Sequence, residues 1–109
     1  MPDSTRDDTY SVYVIELEEA VWSIGRFRDR NPQRDSSRPL AYVGMTSCSI
    51  EDRFQQHRTG YRANRYARRY GQGLVLDRCR PGLTRKEAEV QEVELAEALR
   101  AEGWGVWQA

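Results

Sequence analysis

Two short apolar segments in the first half of the chain most constrain its fold. Residues 10–17 and 40–44 consist mainly of Val, Ile, Leu and Tyr, the residue types that favour a pleated, half-buried strand. Alternation along a strand places Tyr13 at the centre of one face of the first segment, which it shares with Ser11, Ile15 and Leu17. In the second segment Tyr42 shares a face with Leu40 and Gly44. The sequence therefore predicts two strands, each with a central tyrosine.

The length of 109 residues allows one domain with a single core. We expect a polar disordered tail at residues 1–9 and one domain at residues 10–109. Within that domain, residues 18–39 hold five arginines and two prolines, which predicts a long connection with a helical turn near residues 20–24. This insertion is either a recognition loop or a disordered excursion without a role.

Capping signals divide the second half of the chain into helices and strands. Ser49 precedes a helix that ends at Gly60, and a capping box formed by Thr84 and Glu87 opens the longest periodic segment, which runs to about residue 102. The remaining predictions are a short helix at residues 63–70, a third strand at 74–79, a turn at 81–82 and a short edge strand at 104–107. The main order, β-β-α-α-β-α, predicts an α+β fold with a small three-stranded antiparallel sheet flanked by helices.

The composition and the N-terminal residues indicate the cellular compartment of the protein. Apolar residues make up 39% of the sequence and no apolar stretch approaches bilayer length. The first eight residues are polar and hold three acids, unlike a signal peptide. We therefore expect a cytoplasmic protein with no membrane partner. Cys48 and Cys79 lack the spacing of a metal site, and we expect both to be buried as small apolar side chains.

The formal net charge is zero, but the charges are segregated along the chain. Residues 53–70 contain six arginines and no acid, whereas residues 87–102 contain six glutamates and one arginine. An arginine cluster without acids indicates a phosphate-binding surface. The alternative, in which these arginines pair with the glutamates in an interaction scaffold, stays open because the net charge is zero.

Three polar side chains lie beside predicted apolar helix faces. Arg53 and His57 are four residues apart and leave the same side of their helix. Glu92 falls on the inward stripe that Ala88, Leu95 and Leu99 define on the last helix. Taken singly, each residue has a structural explanation. Arg53 would be a surface charge, His57 a histidine whose ring nitrogens are hydrogen-bonded in the core, and Glu92 a carboxylate paired with an arginine.

The order and spacing of these residues resemble the GIY-YIG nuclease family over most of the chain. Val12-Tyr13 is similar to the end of the first motif, with Ser11 where glycine is usual. The second motif is matched by Tyr42-Val43-Gly44, with a longer gap than usual before it. Thr46 also suits the pattern. Three further positions match the family's R-x-x-x-H helix and its metal-binding glutamate: Arg53, His57 and Glu92.

The resemblance implies a catalytic role for these positions and a backbone-binding role for the arginine cluster. Glu92 would hold one divalent ion, Mg²⁺ or Mn²⁺, and Arg53 would bind the scissile phosphate. Tyr13, assisted by His57 and Tyr42, would activate water. Gly44 and Thr46 would be structural. The expected DNA-backbone contacts are Arg58, Arg62, Arg65, Arg68 and Arg69.

The function implied by the resemblance is metal-dependent hydrolysis of DNA phosphodiester bonds by an endonuclease. RNA stays open as a substrate. Because a single domain leaves no room for a separate recognition domain, specificity would come from a homodimer, a partner protein or the structure of the DNA. The alternative is a catalytically weak nucleic-acid-binding module or accessory subunit on the same fold.

Overall fold

The computed structural model describes residues 9–109, so all of the predicted tail except Thr9 lies outside the described residues. Strands β1 (Tyr10–Leu17) and β2 (Leu40–Thr46) pair antiparallel, with Tyr13 opposite Gly44 and Ile15 opposite Tyr42. Both central strands are confirmed.

The domain is α+β, as predicted, but its sheet is five-stranded and mixed. Strands β3 (Gly71–Leu74) and β4 (Arg80–Leu83) pair antiparallel with different parts of β1, and β5 (Gly105–Gln108) is parallel to β2. The predicted three-stranded antiparallel sheet is therefore wrong. Its expected third strand at 74–79 is broken by a 3-10 helix at Leu76–Arg78.

The predicted turn at residues 81–82 lies inside β4. That strand pairs only with β1, so Pro81 occupies an outer strand, where its missing N–H costs little. Gly82 supplies the positive φ of 74° that most other residues avoid. Pro and Gly, read as a turn in the sequence, are accommodated here by a short irregular strand.

Within residues 9–109 four helices complete the domain; the boundaries predicted for the second and the last are confirmed, and the first was not predicted. The four helices are α1 (Gly25–Asp29), α2 (Ile50–Thr59), α3 (Arg65–Tyr70) and α4 (Arg85–Ala101), with a further 3-10 helix at Glu19–Ser23. Ser49 caps α2, Gly60 ends it in the left-handed conformation, and the Thr84–Glu87 capping box opens α4. α3 begins two residues later than predicted because Asn64 is its cap. No described helix is both long and apolar enough to cross a bilayer.

The sheet has a separate apolar cluster on each face. α4 packs on the Val12 and Val14 face with Leu95 and Leu99, and its predicted inward stripe is buried. Helices α1, α2 and α3 cover the opposite face, which carries Tyr13 and Tyr42 with Phe27 and Tyr66. The two strand tyrosines and the last helix therefore belong to different layers.

The insertion at residues 18–39 is folded and fixed to the sheet, which does not agree with a disordered excursion. Its Asn31 side chain is fully buried, accepts a 2.7 Å hydrogen bond from the N–H of Val106 and donates to the carbonyl groups of Phe27 and Val106. Satisfied amide groups of this kind hold buried segments in one arrangement. The insertion is thus anchored to β5.

Burial of both cysteines is not observed. Cys48 is exposed and Cys79 half-buried, and both are free thiols. Cys48 lies just beyond β2, where its N–H donates to Oγ1 of Thr46. Thr46 thus closes a local turn at the strand end, and that turn directs Cys48 to the surface.

Candidate active site

Tyr13 lies across β2 in the space that Gly44 leaves. A Cβ atom on Gly44 would come within 2.6 Å of the Tyr13 hydroxyl oxygen and 3.1 Å of the Tyr42 ring. Because Tyr13 is only 1% exposed, its ring has little room to move away. Any side chain at Gly44 would displace the phenol, so this glycine fixes the position of Tyr13.

His57 is fully buried and in contact with Tyr13. Its Nε2 is 2.8 Å from the Tyr13 hydroxyl oxygen, and its Nδ1 accepts the backbone N–H of Asn64. A neutral imidazole that accepts at Nδ1 carries its proton on Nε2, so His57 donates to Tyr13. Burial, with a contribution from Arg53, lowers the pKa of His57 to about 4. His57 is therefore neutral near pH 7.

The hydrogen-bond chain continues from Tyr13 to Tyr42. The ring centres of the two tyrosines are 6.0 Å apart. Because the Tyr13 oxygen accepts from His57, its own O–H can donate to Tyr42, while Arg53 also hydrogen-bonds Tyr13 and lowers its pKa. Burial raises the pKa of both phenols. The hydrogen bond raises the pKa of Tyr13 further but lowers that of Tyr42, so Tyr42 is the phenol that gives up a proton more readily.

Arg53 connects this chain to an open cleft. Its charge lowers the pKa of both tyrosines. It also donates to the side chain of Gln56 and to the carbonyl groups of Tyr61 and Arg62, which fixes the loop after α2. Arg53 lines a cleft of about 410 Å³ together with Tyr10, Met45, Thr46, Ser47, Cys48, Gln56, Tyr61 and Arg62.

Glu92 approaches from the other layer of the domain. It is 7% exposed and accepts a 2.9 Å hydrogen bond from Nε2 of Gln108. Burial raises the pKa of its carboxyl group, the Gln108 bond lowers it, and Glu89 raises it. Glu92 in turn raises the pKa of Tyr42. The structure therefore leaves Glu92 on the α4 side of the sheet and outside the lining of the Arg53 cleft, and within the described residues its effect on the pKa of Tyr42 is the one link to the tyrosines.

The donor set suits an ion that needs few protein ligands. Within residues 9–109, no guanidinium forms an ion pair with Glu92, and no three His, Cys, Asp or Glu groups cluster as a metal site. A tetrahedral zinc site does not fit such a set. Mg²⁺ fits, since it takes most of its ligands from water and phosphate, and a cation would compensate the buried charge of Glu92.

The predicted backbone-binding arginines form an exposed surface on and after α2. In the part of the chain that the structure describes, the ion pairs are Arg34–Glu19, Arg78–Glu102 and Arg85–Glu89. None involves this cluster, so pairing of these arginines with the glutamates of α4, as in the scaffold alternative, is not seen there. The exposed cluster is Arg58, Arg62, Arg65, Arg68 and Arg69.

Two residues of this site were not identified from the sequence. Asn64 sets the proton position on His57 through its backbone N–H, and Gln108 holds Glu92. Asn64 carries a signal that is visible in the sequence, because Asn before a short helical segment indicates an N-cap. Gln108 carries none, since its role depends on β5 pairing beside α4.

Comparisons with known proteins return no significant match: no family model, no curated protein and no solved structure matches the chain.

Proposed function

We propose that this protein is a metal-dependent endonuclease of the GIY-YIG type that hydrolyses DNA phosphodiester bonds. The observation that supports this most is the buried cluster of His57, Tyr13 and Tyr42, in which His57 lies 2.8 Å from the Tyr13 hydroxyl and Arg53 lowers the pKa of both phenols. A purely structural explanation accounts for any one of these residues. It does not account for two phenols, a neutral imidazole and a guanidinium in one cluster, with a buried carboxylate on the adjacent layer that forms no ion pair within residues 9–109.

In this mechanism Tyr42 acts on the attacking water. Tyr42 first loses its O–H proton to solvent; the phenolate then takes a proton from the attacking water as the water oxygen bonds to phosphorus and the leaving oxygen departs and is protonated by solvent. His57 donates to Tyr13 and Tyr13 donates to Tyr42, so the charge of the phenolate is stabilised by a hydrogen bond and by Arg53. The resemblance to the GIY-YIG family implies this role for Tyr13. The hydrogen-bond order favours Tyr42, because burial and the bond to Tyr42 both keep Tyr13 protonated.

In this proposal Arg53 binds the scissile phosphate, and Glu92 binds the ion that neutralises it. Arg53 lines the open cleft and presents positive charge to a phosphate there, which stabilises the charge that builds up during hydrolysis. Glu92 holds the divalent ion. A bound Mg²⁺ would neutralise the phosphate and its leaving oxygen.

The arginine cluster supplies affinity without base selection. Five exposed guanidinium groups on one stretch of chain would contact backbone phosphates, which carry no sequence information. Cleavage by the isolated domain would therefore show low sequence specificity.

One observation favours a second function, a nucleic-acid-binding module without effective catalysis. Tyr13 is 1% exposed, His57 is fully buried and Tyr42 is 4% exposed, so only a small part of the site reaches solvent. In this alternative, the hydrogen bonds among His57, Tyr13 and Tyr42 only satisfy polar groups in the core. The exposed arginines alone bind the nucleic acid.

Plasmid nicking separates the two functions. Supercoiled plasmid is incubated with the purified protein and Mg²⁺, with and without excess chelator. The nuclease proposal expects nicked and linear products that disappear with chelator. Salt-sensitive plasmid binding without any metal-dependent nicking would support the binding module and reject the nuclease.

A further inference from the structure

A second basic groove lies between the insertion and α3, apart from the cleft that Arg53 lines. It has a volume of about 430 Å³, within the range of sites that hold small organic molecules. α1 forms one wall and α3 the other. Its lining includes three arginines, two tyrosines and an apolar residue: Arg26, Arg65, Arg69, Tyr66, Tyr70 and Ile24.

Within residues 9–109, the charged side chains that line this groove are all positive, and Asp29 lies outside the lining, in a separate cavity that Arg26 also lines. Arg65 and Arg69 leave the same side of α3, four residues apart, and Arg26 faces them from α1. All three are exposed, and no acid lines the groove. None of them takes part in an ion pair within residues 9–109. Three guanidinium groups that converge without an acid leave an uncompensated positive site that suits an anion.

The interior of the groove is apolar and aromatic, unlike a simple phosphate-binding surface. Ile24 and Tyr70 are half-buried, and Tyr66 is 2% exposed. The guanidinium groups of Arg65 and Arg69 lie about 5.5 Å from the ring centres of Tyr66 and Tyr70. Duplex DNA would offer phosphates to the arginines but would leave the apolar interior unused. A flat base with an attached phosphate uses both parts.

We propose that this groove binds one unpaired nucleotide of a nucleic-acid strand, with its base against Ile24 and Tyr70 and its phosphate on Arg26, Arg65 and Arg69. The inference deepens the proposed function, from which it takes only nucleic acid as the partner. It also gives the insertion a purpose, because Arg26 would bring a third cation to a site that α3 alone leaves open on one side. The preferred substrate would then contain an unpaired nucleotide, as in a single strand, flap or bulge.

Binding of three labelled oligonucleotides without metal tests the groove. The probes are a single strand, a duplex with one bulged nucleotide and the fully paired duplex, each measured by fluorescence anisotropy with chelator. For Arg26→Ala we expect about tenfold weaker binding to the single strand and the bulge, and less than about twofold for the paired duplex. Arg85→Ala is the matched control, because Arg85 is exposed and distant in sequence from the groove.

A second variant tests the aromatic part. Tyr70→Leu keeps apolar packing but removes the ring, and we again expect a loss confined to the probes with an unpaired nucleotide, in a protein with an unchanged melting temperature. If Tyr70→Leu does not fold, Arg26→Ala decides alone, since Arg26 is exposed. An equal loss of affinity for all three probes would contradict a site for an unpaired nucleotide and would indicate general contact with the nucleic-acid backbone. No loss on any probe would overturn the proposal.

The outcome for the groove is separable from the outcome for catalysis. The binding measurements contain no metal and require no cleavage. A protein that never nicks DNA but loses selective binding with Arg26→Ala would retain the groove and reject the nuclease.

Discussion

Tyr13 and Tyr42 are both buried phenols, but their hydroxyl groups have different neighbours. Tyr13 accepts a hydrogen bond from His57 and lies over Gly44. Burial raises the pKa of Tyr42, and the charge of Glu92 raises it further. The hydrogen bond with Tyr13 and the charge of Arg53 lower it. At the scale of single residues, the two phenols therefore differ in how readily they lose a proton, and the proposed mechanism gives the reactive role to Tyr42.

Tyr42→Phe should reduce cleavage more than Tyr13→Phe does. Removal of the Tyr42 hydroxyl removes the proposed base, a loss of about 10² to 10⁴ in rate. Loss of the Tyr13 hydroxyl leaves Tyr42 and Arg53 in place and should cost less. Single-turnover cleavage at saturating Mg²⁺ measures both rates. Tyr61→Phe is the control, because it removes the hydroxyl of an exposed tyrosine that lines the cleft but has no role in the proposed proton transfer.

The reverse order would contradict this assignment. If Tyr13→Phe abolished cleavage and Tyr42→Phe left it nearly intact, the base would be Tyr13, as the sequence resemblance implied.

Among the elements, α3 carries three exposed arginines and α2 carries one. Arg58 lies in α2 and Arg68 in α3, both exposed and outside the lining of the groove beside α1. Each guanidinium that neutralises a phosphate releases a counterion, so the number of such contacts sets the salt dependence of binding.

Replacement of Arg58 and Arg68 by Ala should reduce the slope of log affinity against log salt concentration by about 2. The affinity for duplex DNA is measured from low to physiological salt without metal. Arg85→Ala, which removes an arginine already paired with Glu89, should leave the slope unchanged. An unchanged slope in the double variant would place these two arginines away from the DNA.

Elements with strong local signals were predictable from sequence, and those defined by long-range pairing were not. Ser49, Gly60 and the Thr84 capping box mark helix ends through contacts a few residues apart. β3 and β4 are four residues each and exist because both pair with β1. No local pattern separates such strands from the loop between them, which is why residues 74–79 were assigned as one strand.

For the whole molecule, burial of His57 couples stability to pH. Its pKa is about 4 when folded, below the ordinary 6.5 of an exposed histidine. Between these pH values the imidazole binds a proton in the unfolded chain but not in the folded protein. The contribution of His57 to the free energy of unfolding is therefore fully present above pH 6.5 and is lost as the pH falls toward 4. The shift corresponds to about 3 kcal/mol.

The free energy of unfolding should therefore fall between pH 6.5 and pH 4 more steeply in the wild type than in His57→Gln. Denaturant titrations at several pH values measure this free energy. Subtracting the value for the variant from that for the wild type removes the contribution of the carboxyl groups, which both proteins share. Parallel pH profiles would show that His57 is not buried as a neutral group.

The sequence predicted which residues form the candidate site better than it predicted their arrangement. Periodicity alone placed Arg53 and His57 on one helix side and Glu92 on an inward stripe, and all three positions are as expected. The order of the hydrogen bonds depends on Asn64 and on the contact of Tyr13 with Gly44. These contacts join segments far apart in the chain, so spacing along the sequence cannot specify them.

Cleavage by Glu92→Gln is the most direct test of the central claim that a buried carboxylate holds the catalytic ion. The change keeps the size of the side chain but removes the charge, and we expect plasmid nicking at saturating Mg²⁺ to fall by about 10² to 10⁴. The melting temperature should stay equal or rise, because a buried charge is removed. Glu94→Gln, at an exposed position of the same helix, should cleave like the wild type. Full activity in Glu92→Gln would contradict the account.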